Sequence, residues 1–182
     1  MAAAFTCLRP VLTHITEHPI DRIVSLLMVA ALFATNAAVA DNNAVVLELG
    51  GAGEWDTKTS ASQFGPNFGI EITPIENWLE IELSVTAFQV SGATEWESDM
   101  VFKKPFELSS TAELMIGLGP TWTHSSRPGE RADSAGGEVA LDFMFWPRPH
   151  WGWYVEPTYG VAFDHGHRDS VGVAAGLLFG IP

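Results

Sequence analysis

The chain has 182 residues, 47% of them hydrophobic, and a formal net charge of −13. That length allows one domain and a leader, and so much apolar content beside so much charge requires the two to be segregated by face or by segment. Nine Lys and Arg against 22 Asp and Glu exclude a phosphate-neutralising nucleic-acid binder. The single cysteine, Cys7, excludes an intramolecular disulfide and a multi-cysteine metal cluster.

Residues 1–40 read as a secretory signal peptide. Arg22 precedes an apolar core over Ile23–Ala34, and small residues follow, ending in Ala38-Val39-Ala40 before Asp41. Cys7 lies ahead of the apolar core, so it is not a lipoprotein cysteine. The domain expected after cleavage is 41–182.

That domain reads as strands throughout. The clearest is Trp78–Gln89, where Leu79, Ile81, Leu83, Val85 and Ala87 share one parity and Glu80, Glu82, Ser84 and Thr86 the other. A period of two places one set on each face of a β-strand. The same alternation predicts strands over 44–55, 62–73, 95–104, 109–122, 134–146, 152–163 and 170–181. Lys103-Lys104-Pro105 is read as ending the fourth strand, and His124–Asp133, with Pro128-Gly129 at its centre, as the longest loop. Pro157 falls inside the seventh strand, where it removes a ladder donor. Eight short-linked antiparallel strands without a helix predict an all-β, eight-stranded antiparallel up-and-down barrel, which leaves no open edge.

Alternation does not say which face is inside. Three features favour a transmembrane barrel, with the apolar face toward lipid and the polar face lining the lumen. All seven tryptophans fall at strand ends: Trp55, Trp96 and Trp122 at one rim, and Trp78, Trp146, Trp151 and Trp153 at the other. That is the arrangement of an aromatic girdle, although Trp78 and Trp146 carry the polar-face parity. The polar face is rich in Gly, Ala and Ser, which suits a narrow interior. The apolar face is nearly free of charge over about 9–11 residues, the length a tilted strand needs to cross a bilayer. Against this, Glu48, Glu71, Glu80, Glu82, Glu113, Glu138, Asp142 and Glu156 all fall on the polar face, with Lys103 the clearest basic partner. Buried carboxylates need a proton, a cation or water.

These eight acids are the candidate site, a cation-attracting lumen set against a plugged interior hydrogen-bonded to Asn67, Thr86 and Thr111. His165-Gly166-His167, with Asp164 and Asp169, is read as a polar turn rather than a metal site. No metal and no cofactor is expected.

The pattern resembles the small outer-membrane β-barrel proteins of Gram-negative bacteria, such as the transmembrane domain of outer membrane protein A. The residues that carry the resemblance are the leader ending Ala38-Val39-Ala40, the eight alternating strands, and Gly176-Leu177-Leu178-Phe179-Gly180-Ile181. In that last run Gly176, Phe179 and Ile181 look like the family's assembly signal; Ala174 and Pro182 depart from it. The resemblance implies an outer-membrane location, contact with outer-membrane lipid and with the barrel-assembly machinery, and a monomer. The reading is a non-enzymatic barrel, structural, adhesive or weakly pore-like, with 55–61, 91–95, 123–133 and 164–169 as outward loops. The alternative is a soluble periplasmic β-barrel binding a small apolar ligand. A remoter one is a lipid A deacylase-like enzyme using His124, Ser126 and Glu138, although Glu138 has the opposite parity to the other two and Arg127 stands where that family has asparagine.

Overall fold

The computed structural model describes residues 44–90, 93–127, 130–163 and 168–182. The expected leader, Cys7 and the His165–His167 turn lie outside the described residues. Eight strands form one closed antiparallel barrel in sequence order: β1 (Val45–Asp56), β2 (Ser62–Ile75), β3 (Leu79–Val90), β4 (Ala93–Ser109), β5 (Ala112–Arg127), β6 (Glu130–Arg148), β7 (Trp151–Ala162) and β8 (Arg168–Ile181).

Closure comes from β8 pairing with β1, in register from Val45↔Ile181 to Asp56↔Ser170. Gly50 and Gly176 face each other across this seam. A Cβ on Gly176 would lie 2.6 Å from the Gly50 Cα and 2.3 Å from the Leu49 carbonyl oxygen. Glycine is needed here because two backbones approach more closely than a side chain allows. At the rim carrying the barrel's two ends, β2 turns into β3 through Asn77, whose φ of 58° is a left-handed conformation that asparagine tolerates.

The alternation seen in the sequence decides what each face meets. Glu48, Glu71, Glu80, Glu82, Asp142 and Glu156 are buried inside. Leu83, Val85, Ile116, Leu118, Val139 and Leu141 stand on the outer wall, exposed by 39–66%. A barrel that shows aliphatic side chains outward and encloses carboxylates is the inverse of a water-soluble one. Its wall suits hydrocarbon, and closure satisfies the backbone polar groups that hydrocarbon cannot.

Several expected boundaries differ. Lys103-Lys104-Pro105 does not end β4, which continues to Ser109 with Pro105 in register with Met115. The expected loop 124–133 is mostly strand. β5 runs to Arg127 and β6 starts at Glu130, with His124 opposite Asp133. The strands rise further here because cross-strand pairing continues up one side of the barrel past the local turn signals. Pro157 sits inside β7, in register with Val173.

The tryptophans also sort differently. Trp96, Trp122, Trp78 and Trp151 are exposed, and Trp55 and Trp153 are half-buried beside outward Phe64 and Phe145. Trp146 is the correction: it points inward, 4% exposed, in the apolar core of the lumen. Its polar-face parity decides this over its position near a strand end.

The outward wall yields a prediction. Leu118→Arg, at the 66%-exposed position, is expected to destabilise the barrel by about 2–4 kcal/mol in a lipid bilayer. Urea unfolding in phospholipid vesicles measures this. A change within about 0.5 kcal/mol, usual for a water-exposed surface position, would place the wall in water instead.

Candidate functional site

The lumen is built in three levels. At the rim bearing the barrel's ends lies an apolar floor of Val46, Met115, Met144, Trp146, Tyr154 and Leu178, all buried. These are inward positions near the strand ends of that rim, and they close the interior with large side chains. An eight-strand barrel is just wide enough for side chains to fill it this way.

Above the floor lies an ionic knot. Lys103 reaches from β4 into the centre and meets carboxylates from four other strands. Its Nζ donates to Asp142 Oδ2 at 2.8 Å and pairs with Glu156 Oε2 at 2.6 Å, with Glu82 Oε2, and with Glu71 Oε2 at 3.7 Å. Lys103 and Asp142 are fully buried. The register explains the convergence, since Glu71 is directly opposite Glu82 across β2 and β3. Glu80 faces Lys103 across β3 and β4. Glu48 enters from β1 opposite Gly69, and a Cβ at Gly69 would lie 3.2 Å from Glu48 Oε2 and 3.3 Å from Glu82 Oε1. Glycine at 69 therefore leaves room for two carboxylates side by side.

A hydrogen-bond chain flanks the knot. Tyr154 OH donates to Asn67 Oδ1 at 3.0 Å, Asn67 Nδ2 donates to Thr86 Oγ1 at 2.9 Å, and Ser84 Oγ donates to Asp99 Oδ2 at 2.6 Å. Of the three polar partners expected inside, Asn67 and Thr86 are there. Thr111 lies instead in the β4–β5 turn, beside the Ser109 hydroxyl.

The third level is a vestibule of about 260 Å³ at the opposite rim, lined by Glu54, Glu95, Glu97, Glu138, Thr123 and Arg168 among others. Gln63 Nε2 donates to Glu54 Oε1 at 3.1 Å and to Glu95 Oε1 at 3.4 Å, and Thr123 Oγ1 to Glu97 Oε2 at 3.3 Å. Asp56 shapes the rim, its Oδ1 accepting the backbone N–H of Lys58 at 2.8 Å and of Thr59 at 2.7 Å.

The eight acids expected to share one lumen therefore divide. Glu48, Glu71, Glu82, Asp142 and Glu156 gather in or beside the knot, and Glu80 lies just below it. Glu138 lines the vestibule, and Glu113 lies near the β4–β5 turn, facing Met144 across β5 and β6. The floor residues lie on the parity that the small and acidic residues mark as the polar face, so that composition does not single them out. Their signal was positional: inward Val46, Met115, Met144, Trp146, Tyr154 and Leu178 all fall near one rim.

His124, Ser126 and Glu138 do not come together. His124 Nδ1 lies 2.6 Å from Asp133 Oδ1 across the β5–β6 pair, and Ser126 is exposed. Glu138 lines the vestibule on the other side of the wall.

In the assembly-signal run, Gly176 packs against Gly50 at the seam, while Phe179 and Ile181 project outward, 40% and 46% exposed.

No protein-family model matches the chain, and no curated protein sequence matches it. Solved structures do. The chain is similar to Neisserial surface protein A, NspA, with a TM-score of 0.58 at 15% identity, covering 75% of this chain and 96% of that one. It is similar to the N-terminal β-barrel domain of Pseudomonas aeruginosa OprF, TM-score 0.51 at 10% identity, over 74% and 97%. It is also similar to Ail, the attachment invasion locus protein of Yersinia pestis, TM-score 0.52 at 14% identity, over 76% and 100%. The chain has the fold of these small barrels. At such identities the likeness extends to the fold alone.

The knot gives a second prediction. Lys103→Met leaves several buried carboxylates without their ammonium. Breaking a buried ion pair on one side costs about 3–5 kcal/mol, and a loss in that range is expected in equilibrium urea unfolding in detergent micelles. A loss below about 1 kcal/mol would mean that Lys103 does not hold the centre together.

Proposed function

We propose that the chain is a non-enzymatic outer-membrane β-barrel protein with a closed, acidic lumen, acting as a structural or adhesive element of the bacterial surface. The observation that carries this is the pairing of an aliphatic outer wall with an interior stopped by the Lys103 knot and the apolar floor. The rim with the β1–β2, β3–β4, β5–β6 and β7–β8 connections then faces outward, and the rim with the barrel's two ends faces the periplasm. Aromatic residues at both rims suit a wall that spans the bilayer between them. A closed barrel has no free edge to pair, which supports a monomer. On this reading Gly176, Phe179 and Ile181 serve recognition by the barrel-assembly machinery.

The adhesive part draws on the neighbours, one of which is named a surface protein and another an attachment protein. Ail has also been crystallised with the heparin analogue sucrose octasulfate. The mouth here gathers Glu54, Glu95, Glu97 and Glu138, so charge complementarity favours a cationic or neutral partner over a sulfated one.

A conducting pore fits less well. A permeating ion would have to displace Lys103 and then cross Trp146, Met144 and Tyr154, where nothing replaces its hydration. A soluble carrier of apolar ligands fits less well again, because the interior space is lined by carboxylates.

Two measurements test the reading. Fractionated cells are expected to hold the protein in the outer membrane, released only by detergent and with heat-modifiable gel mobility; recovery in a detergent-free wash contradicts the membrane location. In planar bilayers the purified barrel is expected to give no steady current, and a stable ohmic current would contradict the closed lumen.

A further inference from the structure

Six buried carboxyls, Glu48, Glu71, Glu80, Glu82, Asp142 and Glu156, face one ammonium, that of Lys103. Buried charge of one sign is tolerated only when something compensates it. Lys103 serves part of the group. It uses Asp142 Oδ2, Glu82 Oε2, Glu156 Oε2 and Glu71 Oε2. Beyond these oxygens, Glu48 Oε1 and Asp142 Oδ1 are buried with no hydrogen-bond partner. Glu48 is 1% exposed and stands outside the ion pairs that Lys103 makes.

Glu48, Glu71, Glu82 and Asp142 each present an oxygen within 4.8 Å of the others. Calcium binds oxygens at about 2.3–2.6 Å in flexible geometry, so four oxygens grouped this closely can surround it. Magnesium keeps several of its waters and is seldom held by an all-protein cage, so an enclosed four-carboxylate set suits calcium better. The donors are all carboxylate oxygens from four strands, a hard set that suits calcium better than zinc or copper.

We propose that Glu48, Glu71, Glu82 and Asp142 bind one calcium ion inside the barrel, beside Lys103. The ion takes carboxylate oxygens that the ammonium does not use, so the two cations share the acids. Gly69 keeps the space between Glu48 and Glu82 open. The acidic vestibule above, with Glu54, Glu95, Glu97 and Glu138, draws the cation in from the outer rim. The site rests on the reading of a closed acidic lumen, and it gives that lumen a ligand.

The test uses the purified barrel in zwitterionic micelles, stripped with chelator and titrated with calcium chloride by calorimetry and equilibrium dialysis. One calcium per barrel is expected, with a Kd on the order of 10⁻⁴–10⁻³ M, as in extracellular modules. Magnesium is expected to bind at least tenfold more weakly. Glu48→Gln, which leaves the Lys103 pairs in place, should weaken calcium binding at least tenfold and keep heat-modifiable mobility. Glu97→Gln in the vestibule should change it less than threefold. Absence of saturable binding overturns the proposal. So does equal loss in the two variants, which would mean diffuse attraction at the mouth, or magnesium binding as tight as calcium. Failure of the ion leaves the closed-lumen reading standing if the barrel still carries no current; a stable current sinks that reading separately.

Discussion

The structure depends on one buried ammonium. Lys103 is the point where β3, β6 and β7 exchange charge with β4, and Glu71 of β2 lies at the margin of the same group. Ion pairs this deep are costly to assemble and tolerable only when their geometry is closely fitted. Here the fit is enforced by closure of the barrel. Strands that are far apart in sequence are held on one ring, so the acids cannot leave without breaking ladder hydrogen bonds. The ionic centre and the closed wall therefore require each other.

The same constraint accounts for the distribution of everything else. Small residues occupy inward positions where backbones or carboxylates crowd, as Gly50 and Gly176 do at the seam and Gly69 does beside Glu48. Most large buried residues occupy inward positions at one rim, where Trp146, Met115 and Met144 seal the floor, while Phe88 is buried nearer the other. Tyr154 belongs to both levels, with its ring in the floor and its hydroxyl bonded to Asn67. Among the described residues the apolar floor and the acidic vestibule stand at opposite rims, which gives the interior a direction as well as a content.

The sequence was most informative where its period was unbroken. Leu79 to Ala87 alternates with Glu80 to Thr86, and both faces are where that alternation puts them. It was least informative where cross-strand pairing outweighs local chemistry. Lys103-Lys104-Pro105 has the composition of a strand end, yet β4 has a partner on each side there and continues. Pro128-Gly129 lies outside the described residues, and its composition gives no measure of the height of the strands that approach it, β5 to Arg127 and β6 from Glu130. Trp146 stands near a strand end, yet its parity is the stronger physical signal and turns it inward. The ion pairs of Lys103 could not be read at all, because they depend on which strands meet across the lumen. The eight acids could be assigned to one face from the sequence, but not divided between the knot and the vestibule.

The central claim is that this barrel is inside out, with its apolar wall in lipid and its charges sealed within. Tryptophan quenching by lipids brominated at shallow acyl positions tests it most directly, using variants that retain only Trp122 or only Trp146. Trp122, on the outer wall, is predicted to be strongly quenched, and Trp146, in the sealed floor, to be unaffected. Equal quenching of the two, or stronger quenching of Trp146, would contradict the account.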